Sequence, residues 1–138
     1  MALLKFHTTS ASRPVEKRQA ACAFGMEGEQ IAATYLTDKG YTILEHNYRR
    51  GHLEIDLIAL DRGELVIVEV KTRASDDFMQ PEQAVDHKKR AALIRLANEF
   101  VRTHNRKENV RMDIVSIVKN DKETRIKHIE NAFNAMNY

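Results

Sequence analysis

The sequence has a single cysteine, Cys22, in 138 residues. This excludes an internal disulfide and any multi-cysteine zinc site, and it makes a reducing cytoplasm the expected compartment. Long apolar runs are missing too: stretches such as Leu65–Val68 fall far short of the ~18 residues a membrane span needs. The start, MALLKFHTTSASRP, has too short an apolar run for a secretory signal. Charge of one sign is scarce, since 22 Lys and Arg face 20 Asp and Glu, for a formal net charge of +2. That balance permits a nucleic-acid partner through local patches without demanding one. What is present is an ordinary globular mixture, 43% hydrophobic and 30% charged, in a length that suits one core and leaves no room for two.

Along the chain, residues 1–15 mix Thr, Ser, His and Lys without periodicity around Pro14 and read as a flexible tail, which leaves 16–138 as one domain. A helical pattern runs from Glu16 to Lys39, with Gly40 as a natural stop. Residues 41–48 read as a strand, followed by a hairpin over 53–60 and 64–72. Pro81 is a favoured first helical position, and Val85, Ala92, Leu93, Leu96, Ala97 and Phe100 then line one helical face. Strands follow at 110–118 and 125–129, with a helical turn through NAFNAM. The order is α-β-β-β-α-β with a small appendix, an α/β fold whose mixed central sheet is flanked by helices.

The hairpin LEIDLIALDRGELVIVEVKTR carries charge where a core strand should carry Val or Leu. A two-residue loop at Arg62–Gly63 pairs Asp61 with Glu64, and the same register sets Asp56 opposite Glu69 and Glu54 opposite Lys71. Opposed carboxylates repel, and burying them unpaired is costly. Two readings fit. A divalent cation, with Mg²⁺ the natural choice for carboxylate oxygens, sits between Asp56 and Glu69 while Lys71 assists a water or balances a phosphate. Alternatively, the four charges form a salt-bridged rim where the sheet meets solvent.

Both helices add charge to inner faces. Glu29 shares a side with Cys22, Gly25, Ala32, Ala33 and Leu36. Gly25 and Gly28 are each about 1 kcal/mol worse than Ala in a helix. The helix is either making room for a third acid at the cation site or packing closely on the sheet with Glu29 turned outward. Lys89 lies on the face of Ala92, Leu93 and Leu96, where it either joins a solvated HKKR face or meets a phosphate. Arg49, Arg50 and His52 before the hairpin, and Arg73 after it, could flank the same cleft.

The segments GMEGEQIAATYLTDKGYTILEHNYR, EIDLIA, LVIVEVKTR, RMDIVSI and HIENAF, taken together, resemble the YraN-like family of the PD-(D/E)XK nuclease-like superfamily over roughly residues 20–135. The resemblance implies a restriction-endonuclease-like core akin to that of archaeal Holliday-junction resolvases. It also implies metal-dependent hydrolysis of nucleic acid, DNA first among the candidates and branched or junction-like forms included. Carried over residue by residue, Asp56 and Glu69 match the ligands of Mg²⁺ or Mn²⁺, Lys71 the lysine that assists the attacking water, and Glu29 the first-helix acid. Glu54 matches a supporting acid, and Lys89 a basic position of the second helix. Arg49 and Arg73 join Lys89 as candidate nucleic-acid contacts. A homodimer is expected by the same resemblance, and a binding module that keeps the fold without turnover is the alternative. The chain departs from the family pattern at Leu53 and Met79, where glycine is usual.

Overall fold

The computed structural model describes the backbone of residues 2–75 and 86–134, with side chains from Val15 onward in those ranges. Helix α1 (Ala2–Asp38) leads into β1 (Thr42–Arg50), β2 (Leu53–Asp61) and β3 (Glu64–Arg73). Helix α2 (His87–Thr103), β4 (Asn109–Lys119) and β5 (Thr124–Phe133) follow. The five strands form one sheet in the order β1-β2-β3-β4-β5. Among the described strands only β3 and β4 run parallel, as strands joined through a crossover helix do.

Side-chain alternation sends β3 to two cores. Val66, Val68 and Val70 join Leu57, Ala59, Val115 and Ile117 against Ala32, Ala33 and Leu36 of α1. Leu65 and Ile67 join Ile58, Met112, Ile114 and Phe133 against Leu93, Leu96, Ala97 and Phe100 of α2. The result is an α/β arrangement with a helix on each face of a mixed sheet, consistent with a restriction-endonuclease-like core. Strands buried on both faces explain the near-continuous apolar runs of β3 and β4.

Local signals set the boundaries. Past α1, Gly40 takes φ +99°, and Tyr41 N–H donates to Leu36 O while Gly40 N–H donates to Thr37 O, each at 3.0 Å. These are the two bonds of a Schellman stop. Arg62 (φ 49°) and Gly63 (φ 79°) are both left-handed, as a two-residue type I′ hairpin turn needs, and Asp61 pairs with Glu64 as expected. Asp86 caps α2 by accepting from Lys89 N–H at 2.9 Å. Helix α2 therefore starts at His87. Pro81, Val85 and Met79 lie outside the described residues.

Two expectations differ from the fold. Asn131–Phe133, expected in a helical turn, complete β5 instead: Asn131 takes φ 52° at an irregularity in the β4–β5 register, and its N–H donates to Asp113 Oδ1 at 3.0 Å. Helix α1 also continues back to Ala2, through the stretch read from the sequence as an aperiodic tail. No helix among the described residues is long and apolar enough to cross a membrane.

Candidate metal centre

The hairpin ladder runs from Asp61↔Glu64 to Leu57↔Val68 and stops where the charged residues begin. Continued one step it would pair Asp56 with Glu69. Instead Val70 N–H donates to the Asp56 carboxylate, Oδ2, at 2.8 Å. Beyond that point β2 stays with β1 through Tyr48↔Ile55 and Arg49↔Glu54, while β3 stays with β4 through Glu69↔Ile114 and Lys71↔Ser116. The two strands of the hairpin part, and the acids gather at the opening.

The parting coincides with a change of face. Leu57 packs in the α1-side core and Ile55 in the α2-side core, although a regular strand would put both on one side. On β1, His46 lines a cavity with Ala33 of α1, yet Tyr48 lies in the α2-side core. Both strands switch face around one residue each, Asp56 on β2 and Asn47 on β1. Asn47 takes φ 52°, a left-handed conformation that asparagine tolerates better than most residues.

Glu29, Glu54 and Asp56 each bring a carboxylate oxygen within 4.8 Å of the other two. Asn47, with its amide nitrogen toward the acids, donates to Glu29 Oε2 at 3.0 Å and Glu54 Oε1 at 2.6 Å. Arg49 Nε meets Glu54 Oε2 at 3.1 Å. A cavity of about 390 Å³ opens here between α1 and the strands, lined by Cys22, Gly25, Met26, Glu29, Asn47, Arg49 and Glu54. Glu69 faces the α2 side, and its Oε1 is 3.6 Å from Lys71 Nζ and 3.5 Å from Lys89 Nζ. Its Oε2 is buried with no hydrogen-bond partner among the described residues, and the residue is only 3% exposed.

Burial dominates the electrostatics. It raises the Glu69 carboxyl to about 7, helped by the charge of Asp56 and opposed by Lys89 and Lys71. It also raises Asp56, against the Val70 hydrogen bond and Lys89, and it raises Glu29, to which Asp56 adds. Three acids strained toward their neutral forms, with one buried oxygen unpartnered, fit a hard divalent cation. The donor set is all oxygen, which suits Mg²⁺ or Mn²⁺.

The residues singled out from the sequence thus fall into two groups. Glu29, Glu54 and Asp56 come together on one side, and Glu69, Lys71 and Lys89 on the other, with Asp56 beside the gap between them. Glu54, expected to support the site, stands among the possible ligands. Arg49 reaches the site through Glu54, and Arg73 ends β3 two positions past Lys71. Gly28 has the close-packing role: a Cβ there would overlap Thr72 Oγ1 of β3, whereas a Cβ at Gly25 meets nothing within 4 Å. Asn47 escaped the sequence reading, though a polar amide amid a β-rich run is a weak sign of irregularity.

The model of the family described as uncharacterised protein family UPF0102 matches residues 28–117. A UPF0102 protein of Parabacteroides distasonis is 44% identical over 111 residues, which cover 80% of this chain and 92% of the relative. One of Thermodesulfovibrio yellowstonii is 46% identical over 114 residues, 83% of this chain and 98% of the relative. Another, of Persephonella marina, is 46% identical over 110 residues, covering 79% and 91%.

Proposed function

The chain belongs to the UPF0102 family, the YraN-like family its motifs resemble, and from that premise we propose that it is a metal-dependent nuclease. It hydrolyses phosphodiester bonds of nucleic acid by PD-(D/E)XK chemistry, with DNA the foremost substrate and branched or junction-like forms included. The observation that carries this reading is the buried, unpartnered Glu69 Oε2 beside Asp56, at the place where β2 and β3 part. A structural salt bridge would satisfy both oxygens, whereas a ligand set leaves one for its cation.

Such hydrolysis needs an oriented water and compensation of charge at the phosphate. A divalent cation, once bound, supplies Lewis-acid stabilisation of the phosphate oxygens. Asp56 and Glu69 hold it, with Glu29 and Glu54 at hand. Lys71, 3.6 Å from Glu69, is fixed by that contact where its ammonium can orient the attacking water. Lys89, kept near Glu69 by the capped start of α2, reaches the phosphate from the same side as Lys71, and Arg49 and Arg73 extend the basic rim. A cytoplasmic location suits such a substrate. A homodimer belongs to the same reading, because a junction presents symmetric strands to a two-fold pair of sites.

One observation favours a binding module without turnover: Lys71 and Lys89 already hold Glu69, and Arg49 already holds Glu54. Asp56→Asn separates the readings and keeps an acceptor for Val70 N–H. For the nuclease, Mg²⁺ or Mn²⁺ raises the melting temperature of wild type far more than that of the variant, since a ligand of the native state stabilises by RT ln(1 + [L]/Kd). Only wild type then cuts in an assay across branched, single-stranded and duplex substrates. Equal metal responses with no cleavage by either protein establish the binding module.

A further inference from the structure

We infer that Asn47 is a positioning residue of the metal centre: its amide locks Glu29 and Glu54 into the arrangement that, with Asp56, receives the cation. The inference rests on the metal-dependent reading above and adds a residue to it.

Two independent features of Asn47 support the role. The first is its backbone. A left-handed residue in mid-strand is unfavourable for most side chains, with glycine free to adopt it and asparagine among the more tolerant. At φ 52° it turns β1 over, so that His46 and Tyr48 face opposite sides of the sheet. Position 47 falls across from Asp56 in the register that joins His46↔Leu57 to Tyr48↔Ile55. The two strands change face at the same level, which sets the Asn47 side chain beside the acids.

The second feature is the chemistry of the amide. Glu29 and Glu54 come from different elements and would repel, and an amide NH₂ offers one hydrogen to each. The reverse orientation would aim its carbonyl oxygen at two carboxylates. A lysine or arginine could also bridge them, but its charge would cancel theirs and compete with the cation. A neutral donor pins Glu29 Oε2 and Glu54 Oε1 without adding a second cation to Arg49, which already meets Glu54. Glu54 is then held at both oxygens, by Asn47 on Oε1 and Arg49 on Oε2.

The test compares Asn47→Gly with Asn47→Ala in the full chain. Both remove the bridge, but only alanine strains the left-handed backbone. Mn²⁺ binding is measured by calorimetry, and thermal unfolding is followed without metal. The expected result is that Asn47→Gly melts within a few degrees of wild type yet binds Mn²⁺ about tenfold more weakly, the usual scale for loss of an outer-shell partner. Asn47→Ala loses the same affinity and melts lower. If the glycine variant binds Mn²⁺ as wild type does, Asn47 serves the backbone alone and the inference is overturned, whether or not the alanine variant folds. If wild type itself binds no Mn²⁺, the metal reading fails and this inference falls with it.

Discussion

Glu69 carries the electrostatic strain of the site on one buried carboxyl. Its carboxyl is raised from 4.5 to about 7 in the folded protein, so the native state holds a proton that the unfolded chain has released. Between those values the native state binds more protons, and stability falls as pH rises. The stabilisation is complete below about pH 4.5 and gone above about pH 7. Metal-free wild type should therefore lose on the order of 1–3 kcal/mol from this group between pH 5 and pH 8. Glu69→Gln should flatten that part of the profile, as urea unfolding at both pH values will show. A profile unchanged by the substitution would remove Glu69 as the source. The charges of the site were legible in the sequence because Glu54, Asp56, Glu69 and Lys71 interrupt apolar strands. Their division between two sides of the sheet was not, because it depends on the change of face of β2 at Asp56, matched by that of β1 at Asn47, which period-two counting cannot see. Asn47 itself carries no charge to draw attention.

At the scale of elements, α1 meets β3 through a glycine. At Gly28 any side chain runs into Thr72, whose β-branched side chain is stiff, so Gly28→Ala should destabilise by roughly 1–3 kcal/mol through overpacking. Gly25 lies three residues earlier with open space around it, and Gly25→Ala should be neutral or gain up to ~1 kcal/mol in helix propensity. Opposite signs in parallel denaturant titrations are the expected outcome, and losses of equal size would contradict the packing. The sequence read both glycines alike because propensity is local and the approach of Thr72 is tertiary. The same limit explains β5. NAF has no strong strand signal, but Asp113 from β4 accepts Asn131 N–H and keeps the segment extended. The hairpin was readable to its turn residues because type I′ geometry is written locally at Arg62–Gly63. Gly40 was readable as a stop for the same kind of reason.

Across the whole molecule, Arg111 ties the sheet together at the end remote from the acids. It is 6% exposed and donates to Asp113 on its own strand, Asp61 of β2, Glu64 of β3 and the Tyr41 hydroxyl ahead of β1. Asp113 also holds His128 Nε2 of β5 at 2.7 Å, so one polar network reaches every strand or its flank. Burial alone would raise Asp113, but hydrogen bonds from His128 and Arg111 outweigh it and hold the carboxyl low. Arg111→Ala removes the guanidinium that buried Asp113 and Asp61 share, leaving Asp61 to Arg62 and Asp113 to His128, and should cost about 3–5 kcal/mol, read by urea unfolding at pH 7. A loss below 1 kcal/mol would show that water or rearrangement replaces the guanidinium. The pairing pattern has a kinetic consequence. Strands β1, β2 and β3 pair with their neighbours in the chain, whereas β3 meets β4 only after α2 has crossed over. Short-range pairing comes cheaply in chain entropy, so Glu54, Asp56 and Glu69 are expected to gather, with Arg49 and Lys71 beside them, before Lys89 arrives to relieve them further. Their repulsion burdens the climb to the folding barrier and its relief comes on the descent. Protonating the acids therefore speeds folding, while removing Lys89 chiefly speeds unfolding.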